Sequence, residues 1–263
     1  MSRYHHLELF LARQKKLEGH IQPECELQYK LIESSEHLLI GFHGFSAGRY
    51  QLDEISNFWT NNTHSVVLFR LPGNGAIDAE GNETYSELPN SQCLDRYSEY
   101  IEELVEVLNP LQVKLSLIGL STGATIAYEI AKRIHCTKLI MLSPFFGTYS
   151  HYVHAFYRGI EYIPFASTIV GRLLDKIVIN FEKTLADGSK GKLPGHNRVT
   201  LGNIWALCRF GNQSLSTTCK LKAEKIWIVT SEDDRTINLA MIDDVIKKTV
   251  HFHSNLKTIR FSK

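Results

Sequence analysis

A serine lies between two glycines in a pattern that is typical of a nucleophile on a tight turn. The segment Gly119-Leu-Ser-Thr-Gly123 fits G-x-S-x-G, with Ser121 at its centre. Small residues two positions away on each side let a strand-to-helix turn close, with the serine Oγ at its apex. An apolar run precedes the pattern and an apolar-periodic segment follows it. This setting predicts a nucleophilic Ser121, although the pattern alone would also fit an inactive serine in a glycine-flanked turn.

Attack on an acyl carbon creates an oxyanion, which backbone N–H groups can stabilise. One donor is the residue after the nucleophile, here Thr122, and the other lies in a loop after an earlier strand. The apolar run 38–42 leads into His43 and Gly44, so Phe45 is the candidate for the second donor. We interpret the His43 side chain as a buried, hydrogen-bonded structural histidine.

Carboxylates follow another apolar run, 226–230, further along the chain. A catalytic acid holds the imidazole of the base in the correct tautomer, and it lies beyond a strand that follows the serine in the chain. Asp233 and Asp234 have that position. A loop of acids is otherwise an ordinary solvated turn, so position in the chain is the reason to consider them.

The elements that must position these residues alternate between strand and helix. This alternation predicts an α/β fold with a mostly parallel sheet and helices on both faces. Helices are expected at 52–59, 94–108, 122–134 and 239–250, and a long loop at 72–90. Strands are expected within 25–32 and at 38–42, 65–71, 113–118, 138–142, 226–230 and 258–261.

One connection is far longer than the others. Gly147 and Lys225 are separated by 77 residues, whereas an ordinary αβ connection takes about 2–6. We interpret residues 148–224 as a mostly helical cap, inserted before the penultimate strand, over the sheet edge where sites form in such folds. An extra helical layer that merely covers the sheet would fit as well. Residues 1–24 are then an N-terminal helical extension, and 25–147 with 225–263 form the α/β core.

The insert is rich in aromatic residues between Tyr149 and Phe165. Such a stretch more often forms the core of a cap than a lipid contact. A lid that faces lipid would show the same pattern, so transient lipid contact through the cap stays open.

Composition excludes several classes of partner. Lys and Arg number 29 against 28 Asp and Glu, for a formal charge of +1, so no general basic field favours nucleic acid. The longest uncharged run, 139–157, contains too many polar residues for a membrane span. No secretory apolar region follows the N-terminus. The sequence does not indicate an oligomeric state.

The cysteines and histidines give little support to a metal site or a disulfide framework. Five scattered cysteines without a C-x-x-C pair favour a reducing, cytoplasmic location; they are Cys25, Cys93, Cys136, Cys208 and Cys219. His151 with His154, and His251 with His253, have spacings that a metal could use. No nearby cysteine or carboxylate completes either pair, so no metal is expected.

Taken in order, four motifs resemble the α/β-hydrolase superfamily, most closely its capped monoacylglycerol lipase-like and carboxylesterase-like branch (serine aminopeptidase S33 type). The resemblance covers about residues 25–263. It rests on His43-Gly-Phe-Ser46, Phe69-Arg-Leu-Pro-Gly-Asn-Gly75, Gly119-Leu-Ser-Thr-Gly123 and Ser231-Glu-Asp-Asp-Arg-Thr-Ile237. The last is similar to the family's G-x-x-D-x-x-V, with Ser231 in place of the glycine, and implies Asp234 rather than Asp233 as the acid.

The same resemblance implies a catalytic histidine on the loop after the last strand. The expected last strand ends near Phe261, and the sequence ends at Lys263. Three interpretations follow. We favour a chain that lacks its own base. Alternatively, the strand assignment is wrong and His253 (or His251) serves, or His151 or His154 at the start of the cap reaches Ser121.

The resemblance implies a serine hydrolase that needs no cofactor and acts on a small-molecule acyl ester. Acylglycerols, lysophospholipids or comparable hydrophobic esters are the expected substrates, cleaved through an acyl-enzyme on Ser121. The alternative, from a different class, is a catalytically disabled protein of the same fold that binds a ligand or a partner.

Overall fold

The computed structural model describes residues 2–61, 63–161, 166–180, 183–184, 190–216, 220–250 and 255–262. Its helices are α1 (His5–Leu17), α2 (Asp53–Asn61), α3 (Arg96–Leu108), α4 (Thr122–Arg133), α5 (His151–Glu161), α6 (Ala166–Leu174), α7 (Leu201–Ser216) and α8 (Leu239–Val250). Its strands are β1 (Gln28–Lys30), β2 (His37–Phe42), β3 (Ser65–Phe69), β4 (Lys114–Leu120), β5 (Cys136–Leu142), β6 (Val178–Asn180), β7 (Lys183–Thr184), β8 (Lys190–Gly191), β9 (Arg198–Thr200), β10 (Ala223–Ser231) and β11 (Leu256–Phe261).

Seven strands form the central sheet in the order β1-β3-β2-β4-β5-β10-β11. Only β1 runs antiparallel to its neighbour, and the other six strands are parallel. The carboxyl ends of these six strands therefore lie at one edge. Ser121, Phe45 and Asp234 all follow strands that end there, which confirms the α/β fold class predicted from the alternation of elements.

Helices cover both faces of the sheet. One face packs into a large apolar cluster with α1, α3, α4 and α8, which contribute Leu7, Leu104, Ile126 and Val245. The other face carries a smaller cluster against α2, centred on Leu39 and containing Val66, Leu68 and Ile118. Alternate residues of β2 thus enter different clusters, because successive side chains of a strand point to opposite faces.

The long connection between β5 and β10 contains α5, α6 and α7 together with two short antiparallel pairs, β6–β9 and β7–β8. Among its described residues the insert is largely helical, and the sequence pattern did not indicate the two strand pairs. The 16-residue α7 packs into the core, with Trp205 and Cys208 fully inaccessible.

Most elements follow the predicted bounds within a few residues, and the N-terminal part of the core differs most. The segment 25–32 was expected to hold a strand pair, but it contains a three-residue 3₁₀ turn that ends at Cys25 and then the short β1. Polar and apolar residues alternate over 26–31, as in a strand with one buried face, but only Gln28–Lys30 pairs with β3. Among the described residues, no helix is both long and apolar enough to cross a bilayer.

Candidate active site

Ser121 lies on a sharp turn between β4 and α4. Its backbone has φ 53° and ψ −116°, in a region that a residue with a side chain occupies only at a cost in strain. Such strain persists where the surroundings enforce it. The turn leaves Ser121 partly exposed while Thr122, the next residue, is buried. The structure therefore gives the predicted nucleophile the strained turn that the glycine spacing indicates.

The two glycines of the motif are required by backbone contacts. A Cβ on Gly119 would lie 2.2 Å from the carbonyl oxygen of Gly123, on the far side of the turn. A Cβ on Gly123 would lie 2.2 Å from the carbonyl oxygen of Phe42 in β2. Neither contact can be relieved by a change of rotamer, because backbone atoms form it. The spacing therefore allows close packing of β4, α4 and β2 around Ser121.

Backbone hydrogen bonds tie this turn to the neighbouring strands. Ser121 N donates to Leu142 O at 2.8 Å, and Phe145 N donates to Ser121 O at 3.1 Å. One residue beyond Leu142, Ser143 N donates to Val229 O of β10 at 2.8 Å. The ends of β4, β5 and β10 are thus held in register. With strands about 4.8 Å apart, β10 lies about 10 Å from β4.

The loop after β2 holds the second candidate donor, and His43 organises it. His43 is fully buried, and its Nε2 accepts a hydrogen bond from Leu71 N–H at 3.1 Å. The other ring nitrogen, Nδ1, therefore carries the proton and donates to Gly44 O at 2.7 Å. Ala47 N also donates to Gly44 O, at 3.3 Å. These contacts are those expected of a structural histidine.

The orientation of Phe45 N–H follows from those contacts. In a trans peptide the carbonyl and the N–H point in opposite directions. Because His43 and Ala47 hold the Gly44 carbonyl, the Phe45 N–H must point away from them. A Cβ on Gly44 would lie 3.6 Å from Ser121 Cβ, so this peptide is next to the serine. Thr122 is the first residue of α4, and its N–H has no acceptor within the helix.

The candidate acids lie on the turn after β10. Asp234 is partly exposed, and one of its carboxylate oxygens accepts a hydrogen bond from Thr236 N at 2.8 Å. Asp233 is exposed, and its own N–H donates to Ser231 Oγ at 3.3 Å. The turn is fastened to the base of the insert, where Thr148 bridges to Ile237. Both acids are at the expected edge.

The histidine that would complete the site is not found among the described side chains. His251 and His253 lie outside the described residues, and the next described residue, Asn255, precedes β11 at the edge opposite Ser121. His151 and His154 belong to α5, but their side chains also lie outside the described part. Within that part, Ser121 Oγ has no hydrogen-bond partner. The expectation that the chain lacks its own base stays a prediction.

The insert contacts the loop that carries Phe45, which sequence reasoning missed. His196 N donates to Ser46 O at 3.0 Å, and its Nε2 lies 3.1 Å from Gly75 N and 3.0 Å from Gly73 O. Gly195, one residue earlier, is held by the Gln22 side chain. No motif marks these contacts, because they join residues far apart in the chain.

A cleft lies away from the serine. It encloses about 770 Å³ between α1, the segment after β3 and the start of α3, and is lined by Arg13, Arg70 and Tyr100 among others. Neither Ser121 nor Phe45, Thr122 or Asp234 lines it. The strained turn and its backbone donors lie outside this cleft, and they supply the groups that a nucleophilic reaction requires. The described residues contain no group of three or more His, Cys, Asp or Glu that could hold a metal.

No protein-family model and no curated protein sequence matches this chain significantly. Solved structures do match. A structure from work on two metagenome-derived lipolytic enzymes has 15% identity and a TM-score of 0.65, covering 92% of this chain and 89% of its own. The monoacylglycerol lipase of Paleococcus ferrophilus has 12% identity and a TM-score of 0.60, covering 90% and 89%.

A soluble variant of monoglyceride lipase from Saccharomyces cerevisiae, solved with a substrate analogue, has 12% identity and a TM-score of 0.59, covering 93% of this chain and 88% of its own. The mouse alpha/beta hydrolase domain-containing protein 10 has 12% identity and a TM-score of 0.53, covering 91% and 86%. At these identities the likeness is one of fold. With its strand order and its strained serine turn, the chain has the α/β-hydrolase fold.

Proposed function

We propose that this protein is a serine hydrolase that cleaves carboxylic esters through an acyl-enzyme on Ser121. The observation that carries the proposal is the backbone of Ser121, at φ 53° and ψ −116° between glycines that backbone contacts require. Strain of this kind concentrates at functional sites. A glycine in place of Ser121 would meet the same backbone geometry with less strain.

In the proposed reaction, Ser121 Oγ attacks the acyl carbon and the ester alcohol leaves. The N–H groups of Phe45 and Thr122 stabilise the oxyanion at each tetrahedral stage. Asp234 orients a histidine, which takes the serine proton, passes it to the leaving alcohol and later activates water. Candidates for that histidine are His253, His251, His154 and His151. The chemistry needs no cofactor.

We assign the substrate to hydrophobic acyl esters, acylglycerols or lysophospholipids being examples. Two of the similar structures are described as monoacylglycerol or monoglyceride lipases, which supports this class. We also propose that residues 148–224 act as the cap that selects the acyl group, since the contact of His196 with Ser46 brings the insert next to a candidate oxyanion donor.

The insert also presents an apolar surface that fits transient contact with lipid. Tyr149, Tyr152, Val153 and Phe156 are 56%, 89%, 38% and 53% exposed. Tyr152, Val153 and Phe156 recur at the spacing of one helix face, which we call the α5 apolar face, and Tyr149 lies two residues before the helix begins. Tyr157, by contrast, is 3% exposed and packs inward. The expectation that these aromatics form cap core therefore fits Tyr157 and does not fit the α5 apolar face.

For location we propose the cytoplasm. Cys93 is an exposed free thiol and Cys136 a buried one, and burial raises the pKa of Cys136 to about 12. Thiols that stay reduced are typical of a reducing compartment. With a formal charge of +1, a nucleic-acid partner is not proposed.

A binding module of the same fold is the second candidate. It would use the same Ser121 turn and the same backbone donors to hold a ligand, without an activated serine. A serine without its base retains only the roughly 10³–10⁴-fold acceleration that the oxyanion hole and binding provide. Such a protein would bind an ester or its acid without measurable turnover.

A fluorophosphonate probe separates the two candidates. The purified protein, Ser121→Ala and Ser216→Ala, an exposed control at the end of α7, are treated alike and digested for mass spectrometry. Stoichiometric adduct on Ser121 in the wild type and in Ser216→Ala, absent from Ser121→Ala, supports the hydrolase. A folded wild type that remains unlabelled refutes it in favour of the binding module.

A further inference from the structure

We propose that residues 195–197 of the insert position the oxyanion hole, with Gly195 and His196 as positioning residues that hold the loop around Phe45. This inference rests on the proposed function, because it concerns the donor that the hydrolase would use. It adds a structural reason for the insert to affect the acyl-transfer step as well as substrate choice.

Gly195 lies in direct contact with that loop. Its backbone has φ +98°, and a Cβ added to it would lie 2.3 Å from Ser46 O and 2.8 Å from Ala47 Cα. Two backbones thus approach so closely that only glycine fits between them. Any side chain at this position would displace the loop next to Phe45.

His196 adds hydrogen bonds to this close backbone contact. Its N–H donates to Ser46 O at 3.0 Å, and its fully buried imidazole reaches the loop after β3 through Nε2, near Gly75 N and Gly73 O. One residue therefore joins the loop after β2 to the loop after β3. His43 also joins these two loops, through hydrogen bonds with Gly44 O and Leu71 N.

The segment is itself anchored on both sides. The Gln22 side chain donates to Gly195 O at 3.1 Å and accepts from Gly195 N at 2.8 Å. Glu83 accepts hydrogen bonds from Asn197 N at 2.7 Å and Asn197 Nδ2 at 2.6 Å. The segment is thus a fixed support against which the loop can rest.

The loop needs such a support because its conformation is strained. Ser46 has φ 57°, in the left-handed region that disfavours a residue with a side chain. Its carbonyl accepts from His196 N, and the turn from Gly44 to Ala47 includes the peptide whose N–H belongs to Phe45. A shift of Ser46 therefore tilts the candidate donor away from the oxyanion.

Two glycines give a matched comparison. Gly195→Ala adds a methyl that collides with Ser46, whereas Gly81→Ala adds one at φ +84° with nothing within 4 Å. Both substitutions impose left-handed strain, and only the first disturbs the loop. Steady-state hydrolysis of p-nitrophenyl butyrate gives kcat and KM, and hydrogen exchange by mass spectrometry reports the amides of residues 44–48.

We expect Gly195→Ala to lower kcat by about 10- to 100-fold, part of the 10²–10³-fold cost of losing one oxyanion donor, with KM changed less than about threefold. In Gly195→Ala, the backbone amides of residues 44–48 should exchange hydrogen faster than in the wild type. Gly81→Ala should match the wild type in both kcat and hydrogen exchange. Equal kcat and equal exchange for Gly195→Ala and Gly81→Ala would overturn the proposal.

A second pair of variants, at His196, tests the proposal if Gly195→Ala does not fold. His196→Ala removes the imidazole, whereas His196→Gln places an amide oxygen and nitrogen near Gly75 N and Gly73 O. We expect Gln to recover most of the kcat that Ala loses, and equal loss in both variants would contradict the proposal. If the wild type shows no turnover that depends on Ser121, the proposed function is refuted, and so is the catalytic role of residues 195–197. Hydrogen exchange at residues 44–48 still shows whether residues 195–197 hold the loop in place.

Discussion

Gly123 of α4 and Phe42 of β2 are packed backbone to backbone, so that a Cβ on Gly123 would lie 2.2 Å from the Phe42 carbonyl oxygen. The first turn of the helix therefore lies directly on the end of the neighbouring strand. The same contact fixes the distance between the Thr122 N–H and the loop that begins at His43.

Gly123→Ala should destabilise the protein strongly. The added methyl has no free space, and overpacking a rigid site costs about 1–3 kcal/mol or more. We expect a loss of at least about 3 kcal/mol in urea unfolding. Gly159→Ala is the control, because Gly159 lies in α5 with nothing within 4 Å. It should change stability by less than about 1 kcal/mol, toward greater stability. Similar losses in both variants would contradict this account of the turn.

His43 should serve stability and activity through different ring nitrogens. His43→Gln can still accept from Leu71 N–H, as Nε2 does, whereas His43→Asn can still donate to Gly44 O, as Nδ1 does. We expect Gln to retain more stability, since an unpaired buried N–H costs about 1–3 kcal/mol. Asn should retain more of kcat. Thermal melts and ester hydrolysis on the same samples check this, and a parallel loss in both variants would refute separate roles.

Asp234 should be the acid of the site. Asp234→Asn should reduce kcat by about 10⁴-fold, the cost of losing the correct histidine tautomer. Asp233→Asn, one residue earlier on the same turn, is the matched control and should retain activity within about threefold of the wild type. The reverse ranking in a steady-state assay would assign the role to Asp233.

The sequence predicted the parallel core well, because its strands are apolar runs that have to be buried. The strand around Leu117 and the helix after Ser121 appear at their expected places. What it could not predict were contacts between distant polar residues. Asn197 and Glu83 show no periodicity or spacing that would relate them. The strand pairs of the insert were missed for a different reason: strands of two or three residues are too short to show an alternation.

Glu83 should make the protein less stable in acid. Its partial burial by itself raises the pKa, but hydrogen bonds from Asn197 outweigh this effect and hold the pKa below its usual value of 4.5. A carboxyl with a lowered pKa in the folded state stabilises the fold above pH 4.5, and this contribution is lost as the pH falls through the folded-state pKa. Glu83→Gln should therefore cost about 1 kcal/mol at pH 7.

That difference should shrink toward zero as the pH falls below about 4. Urea unfolding of the wild type and of Glu83→Gln at pH 7, 5 and 3 measures it. Asp78→Asn is the control, since Asp78 also has a lowered pKa, from hydrogen bonds with Asn82, and its hydrogen bonds among the described residues stay within its own loop. A difference between the wild type and Glu83→Gln that does not change with pH would contradict the role of the carboxylate.

The α5 apolar face should mediate binding to lipid. Replacing both Tyr152 and Phe156 with serine removes much exposed apolar area, and each buried aromatic side chain contributes about 1.5–3 kcal/mol to transfer from water. We expect the double variant to sediment with phosphatidylcholine vesicles at least 10-fold less than the wild type. Phe58→Ser is the control, because Phe58 is 69% exposed on α2. Equal loss from Phe58→Ser, or no binding by the wild type, would refute the assignment.

The hydrogen bonds of residues 195–197 also have a consequence for how the chain acquires its structure. They join residues 173 positions apart at Gln22 and Gly195, and 114 apart at Glu83 and Asn197. Closing such long loops lowers the entropy of the chain before any native contact offsets this cost. Folding therefore slows as contacts become less local. The loop around Phe45 should therefore be among the last parts to order during refolding, after the sheet has formed. A refolding chain would therefore recover its strands before it recovered the proposed oxyanion hole.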